Sequence, residues 1–144
     1  MDEDFLPGRD GPAATVEAHR VRGVRMAYAP DPDGDPDPGE VVWTWVPFEE
    51  NDGRGKDRPV LVVAREHGAE TVLAVQLTSK RHDDRAEYQP IGSGPWDRED
   101  RESWVLLDRV FRIHPAGMRR EACALDRGRF NLVANRLVER YGWA

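Results

Sequence analysis

The alternation of apolar and polar positions divides the chain at about residue 38. Before that point no sustained period appears, and the segment ends in alternating proline and aspartate, Ala29 to Gly39. Such a run removes backbone donors, fixes φ and repels itself, which predicts an extended, solvated arm over residues 1–38. A short helix over Ala13–Val24 is the one local element it could hold. After Gly39 the pattern changes. Val41 to Val46 is rich in β-branched and aromatic residues and ends at Pro47, which predicts a strand. Pro59 to Ala64 is an unbroken apolar run, as expected of a central strand covered on both faces. His67-Gly68-Ala69 marks a turn, and Thr71 to Thr78 returns as the second arm of a hairpin. A charged loop leads to a short strand near Tyr88–Ile91, then to a turn at Gly92-Ser93-Gly94-Pro95. Trp104–Leu107 and Val110–Ile113 supply a last strand or pair of strands.

The closing segment has a different period. Phe130, Val133, Ala134, Leu137 and Tyr141 recur at helical spacing, with Asp126 at an N-cap position and Gly142 near the C-cap. The expected fold is mostly β (α+β): a small twisted sheet over residues 39–144 closed by one C-terminal amphipathic helix.

Composition refines this picture. Hydrophobic residues make up 39% and charged residues 33% of the 144-residue chain, a balance that suits one modest core with a solvated appendage. The single cysteine excludes an internal disulfide framework, and neither a membrane-length apolar run nor a secretory leader pattern occurs. A cytoplasmic protein is expected. Net charge is −6, at first sight unfavourable for a nucleic-acid partner. The excess of acid is concentrated in residues 1–38, which hold 9 acidic and 4 basic residues, against 18 and 17 in the remainder. All but two of the basic residues in that remainder are arginines, whose planar fork suits phosphate. A general arginine bias in the chain would produce the same excess.

Most chemical motifs are absent. His19, His67, His82 and His114 are dispersed without metal-ligand spacing, and His82-Asp83-Asp84 reads as a solvated loop. Gly92-Ser93-Gly94 lacks the remainder of a phosphate-binding loop, and no nucleophile elbow is present. Cys123 has no histidine beside it. Trp43 and Trp45 share one face of the first strand, where packing is the simpler role and stacking on a base the functional one.

Four segments, in order, carry a resemblance. Gly39-Glu40-Val41-Val42-Trp43, Arg58-Pro59-Val60-Leu61-Val62-Val63, Val75-Gln76-Leu77-Thr78-Ser79 and Trp104-Val105-Leu106-Leu107-Asp108-Arg109-Val110 resemble the successive motifs of the MazF/PemK toxin family of type II toxin–antitoxin systems. The similarity runs from residue 39 to about 141. It implies a small SH3-like barrel, usually a homodimer. The implied activity is metal-independent, sequence-specific cleavage of single-stranded RNA by attack of the ribose 2′-OH, without a cofactor. By the same resemblance Arg58 is the catalytic arginine, Thr78 a hydroxyl donor and Asp108 an acidic position that some relatives use as a base. Ser79, Lys80, Arg109, Arg112 and Trp45 are the corresponding RNA-contacting candidates.

Taken alone, Arg58 reads as a surface arginine pairing with Asp57 or Glu50, and Thr78 as an ordinary strand residue. Their joint occurrence at family positions favours function. Phe111 stands where many relatives carry an RNA-contacting arginine, and the loop from Glu49 to Asp57 lacks a histidine found in some. The acidic arm lies outside the family pattern and could cover the arginine-lined groove in competition with RNA. The expected partners are single-stranded RNA, a cognate antitoxin and a second copy of the chain. Two alternatives stand beside the ribonuclease: the same barrel as a non-catalytic binding module, and a gyrase-poisoning relative, for which Tyr141–Ala144 offer no distinctive signal.

Overall fold

The computed structural model describes residues 15–18, 21–31, 35–48, 54–81 and 86–144. Among these residues seven strands and one α-helix follow in chain order, with a 3-10 turn at Pro115–Gly117: β1 Val16–Ala18, β2 Glu40–Pro47, β3 Gly55–Arg65, β4 Val72–Thr78, β5 Tyr88–Gly92, β6 Ser103–Ile113, β7 Met118–Ala124 and α1 Arg127–Tyr141. The strands form one antiparallel sheet in the order β1-β6-β4-β3-β2-β7, with β5 also paired to β6. The path is open: ladders do not close it into a barrel. It curls strongly all the same: Thr15, next to β1, shares a 3.0 Å hydrogen bond with Thr44 of β2, although three strands separate β1 from β2 in the sheet order.

The apolar run of β3 is buried on both faces, as its lack of alternation predicts. Leu61 and Val63 join Leu73, Val75 and Leu77 of β4 beneath Phe130, Val133 and Leu137 of α1. Val60 and Val62 face the other way, with Val72, Ala74, Phe111 and Ile113. Each large side chain so buried is worth about 1.5–3 kcal/mol, so both faces are needed to hold so small a sheet. The helix ends follow from local chemistry. The Asp126 carboxylate accepts from the Arg129 N–H, and Gly142 takes the left-handed conformation at φ 69°. No helix among the described residues is long and apolar enough to cross a membrane.

The segments Trp104–Leu107 and Val110–Ile113 form the single strand β6, with an irregularity where Val75 pairs Val110 but Gln76 pairs Leu106. Two departures from expectation concern pairing between distant segments. β7 occupies a stretch too polar to read as a strand, and exists because β2 offers it an edge. The N-terminal segment, where described, is not the solvated arm expected. Residues 16–18 pair with β6 rather than forming a helix, Met26 bridges Ala64, and Ala18 and Val24 are buried in the core. Tyr28 meets Phe130 edge to face and donates its hydroxyl to the Leu125 carbonyl at 2.5 Å. The physical reason is that the second half of β6 has an edge beyond the reach of β5, which the tripeptide Val16-Glu17-Ala18 satisfies.

Candidate active site

β3 begins and β4 ends on the same side of the sheet, so the hairpin brings the start of one strand beside the finish of the other. Arg58 opposes Thr44 of β2, while Thr78 opposes Trp104 of β6. A cavity of about 440 Å³ opens there, lined by Arg58, Thr78, Ser79 and Lys80. Aromatic and charged residues form part of its wall: Trp43, Tyr88, Trp96 and Asp97, the last accepting from Arg101 at 2.9 Å. The wall is held from within. Trp43 donates its indole N–H to the Trp96 carbonyl at 3.2 Å, and the Trp96 indole donates to the Ser103 hydroxyl at 2.9 Å. The Thr78 hydroxyl accepts from the Lys80 N–H at 3.2 Å, which leaves its own proton to give outward.

Arg58 is half-buried, and burial is the main cause that lowers its pKa; the nearby Arg109 charge lowers it further, opposed by Tyr88. It stays cationic near neutral pH. Partial desolvation makes that cation a stronger partner for an anion than a fully hydrated one. Asp57, a candidate ion-pair partner for it, instead meets Arg119 at 3.3 Å, and Glu50 lies outside the described residues.

A second cavity of about 430 Å³ adjoins, and Arg58, Lys80 and Tyr88 line both. Arg109 lines only the second. Its fork is occupied: Nε and Nη2 donate to the Glu17 carboxylate at 3.1 and 3.2 Å, and Nη2 also to the Pro47 carbonyl at 3.0 Å. The guanidinium lies 4.8 Å from the centroid of the Phe111 ring.

Arg58, Thr78, Ser79 and Lys80 therefore meet at one place, with Arg109 at its margin. Three other candidates do not. Asp108 lies in the irregular part of β6, which turns its carboxylate to Arg140 of α1. Arg112 sits at the opposite end of β6 from the Thr78 pairing, and its fork is taken by Glu66 at 2.5 and 2.9 Å. Trp45 packs over the Gly55 backbone, so closely that a Cβ there would fall 2.6 Å from an indole carbon, and it lines neither cavity. Its neighbour Trp43 is the tryptophan that does. Phe111 is fully buried in the second core cluster, so this position presents no side chain to the cavities.

The sequence offers Trp43, with Trp45, as a residue able to stack on a base, whereas Tyr88, Trp96 and Asp97 escaped the sequence reading. Their one signal was the turn cluster at Gly92–Pro95, which delivers Trp96 to the pocket. Among the described residues no three His, Cys, Asp or Glu side chains gather as a metal site. His82, Asp83 and Asp84 lie outside those residues.

Solved structures of similar fold are toxins of one kind. A MazE–MazF complex from Deinococcus radiodurans superposes with a TM-score of 0.55 at 19% identity, covering 74% of this chain and 96% of that one. MazF alone from the same organism gives 0.56 at 20%, covering 75% and 97%. An endoribonuclease in complex with its cognate antitoxin, from a mycobacterial species, gives 0.56 at 18%, covering 74% and 95%. At such identities the likeness establishes the fold. No curated protein sequence matches significantly. The sequence profile of the PemK-like, MazF-like toxins of type II toxin–antitoxin systems matches residues 37–140, from the turn before β2 almost to the end of α1. The chain accordingly belongs to the PemK/MazF toxin family, whose members are in general endoribonucleases.

Proposed function

We propose that the protein cleaves single-stranded RNA without a metal ion, by attack of a ribose 2′-OH on the adjacent phosphate. The observation that carries this reading is the convergence of Arg58, Thr78, Ser79 and Lys80 on one open cavity. In the reaction the 2′-oxygen loses its proton and bonds to phosphorus, the P–O5′ bond breaks, and O5′ takes up a proton. The products are a 2′,3′-cyclic phosphate and a 5′-hydroxyl. Charge accumulates on the non-bridging oxygens, and stabilising it needs donors fixed in advance. The Arg58 fork and the Thr78 hydroxyl supply them, and Lys80 adds a point charge. Trp43 and Tyr88 supply π-faces for splayed bases. Asp108 lines neither cavity; the carboxylates that line the pocket are Asp57, in contact with Arg119, and Asp97, which accepts from Arg101, and one of the two takes the 2′-OH proton. The pH–rate profiles of Asp57→Asn and Asp97→Asn assign it: the variant that loses the acid limb marks the base.

The partners follow from the same reading. A cognate antitoxin is supported by the antitoxin complexes among the solved relatives, and a homodimer by the family resemblance. Co-purification with the product of a neighbouring short reading frame, and the mass in solution, test the two.

A second reading, a non-catalytic binding module, draws on the internal engagement of both Arg109 and Arg112. The deciding experiment incubates the protein with a long unstructured RNA in EDTA, beside Arg58→Ala and Thr78→Ala. Discrete cuts in the wild type, slowed at least about 100-fold in each variant, are expected by comparison with lost oxyanion donors. Uncut RNA that is nonetheless bound would favour the binding module.

A further inference from the structure

The profile shared with the family begins at residue 37, yet one side chain from before it reaches the margin of the site. Glu17, in the middle of β1, opposes Phe111 of β6 in register, and its carboxylate grips Arg109 through two parallel hydrogen bonds. We propose that Glu17 is a positioning residue: by holding Arg109 against Pro47 and Phe111, it leaves Arg58 as the arginine that meets the scissile phosphate. This rests on the ribonuclease reading and adds to it a requirement from outside the family-matched region.

Two cations compete at this margin. Arg58 and Arg109 line the same second cavity, with Lys80 between that cavity and the main one. A phosphate entering there has two guanidinium forks within its reach, and only one can be in line with the 2′-OH and O5′. Arg109 is only 7% exposed, and its bonds to Glu17 and the Pro47 carbonyl, with the Phe111 ring beneath, fix its plane. The Nε–Nη2 edge, the one that would grip a phosphate bidentately in that orientation, is thereby taken by a carboxylate. Without the carboxylate, Arg109 becomes a nearly buried charge lacking its counter-charge, a state that drives it out towards solvent. The cavity it already lines is the nearest exit. There it would draw phosphate away from Arg58, giving tighter binding and poorer chemistry.

Glu17→Gln tests this, since it keeps the size and one acceptor but removes the charge. The expected result is a kcat lowered at least about tenfold, the order that misplacing a reacting group costs. KM should fall or stay level, and the salt dependence of RNA binding should steepen by about 0.7 in log–log slope, one added phosphate contact on a single strand. The double variant Glu17→Gln/Arg109→Gln removes the competitor and should recover kcat towards wild type. Circular dichroism and Tm on each variant establish that β1 still folds. A lower Tm with unchanged kcat and unchanged salt slope would overturn the proposal and leave Glu17 as a structural clamp. A raised kcat would overturn it in the other direction, making β1 an inhibitory cover. Binding is read by fluorescence anisotropy with a labelled oligoribonucleotide, independently of cleavage. A wild type that binds without cutting would sink the ribonuclease reading, and the salt slopes would still show whether Glu17 withholds Arg109 from phosphate.

Discussion

Phe111 shows how one side chain redirects a site. Where many relatives present an arginine to RNA, this chain buries a fully enclosed phenyl ring among Val60, Val62, Val72 and Ile113. The ring also supports Arg109, whose guanidinium lies over it. Truncating it removes both functions. Phe111→Ala should cost about 3–5 kcal/mol, as for other buried phenylalanines, measured by urea unfolding. A loss under about 1 kcal/mol would mean that the face behind the site is loosely packed. At this scale the sequence was legible where a residue's role is set by its own strand. Arg58 and Thr78 flank apolar runs whose pairing into a hairpin was evident, and the cavity between them follows. Asp108 was not legible, because the irregularity in β6 that turns it to Arg140 depends on how β4 pairs, and no local pattern records that.

Among elements, the ends of α1 were readable because caps are local. Asp126 and Gly142 act within a turn of themselves. β1 and β7 were not readable, since each is a short polar segment made a strand by an edge elsewhere. One inter-element tie makes a pH-dependent prediction. Glu66, just after β3, accepts from Arg112 of β6 and from the Thr71 hydroxyl, and its pKa is lowered chiefly by the hydrogen bond from Arg112. A carboxylate with a folded-state pKa below its unfolded one stabilises the fold fully above the unfolded value and loses that contribution as pH falls through the folded value. Both groups retain solvent contact, so the effect is modest. Thermal unfolding of the wild type and Glu66→Gln between neutral pH and about pH 3 should show a Tm gap that closes on the acid side. A gap constant with pH would show that the pair contributes through packing alone.

At the scale of the whole molecule, a net charge of −6 coexists with a cavity lined by Arg58 and Lys80. The two are compatible because most of the excess of acidic over basic residues lies before residue 39, and because many arginines are spent on internal bonds: Arg109 to Glu17, Arg112 to Glu66, Arg140 to Asp108. Total charge therefore says little about the site. What the proposed chemistry draws on is local, a cavity lined by Arg58 and Lys80 together with Trp43, Tyr88 and Trp96, set where β3 begins and β4 ends. The chemistry proposed for that cavity leaves a distinct mark on its product. The most direct measurement is mass spectrometry of the fragments made from a defined single-stranded RNA in EDTA. The account predicts upstream fragments ending in a 2′,3′-cyclic phosphate and downstream fragments beginning with a 5′-hydroxyl, none of them produced by Arg58→Ala. Fragments with 3′-hydroxyl and 5′-phosphate ends, or cleavage that survives the loss of Arg58, would contradict it.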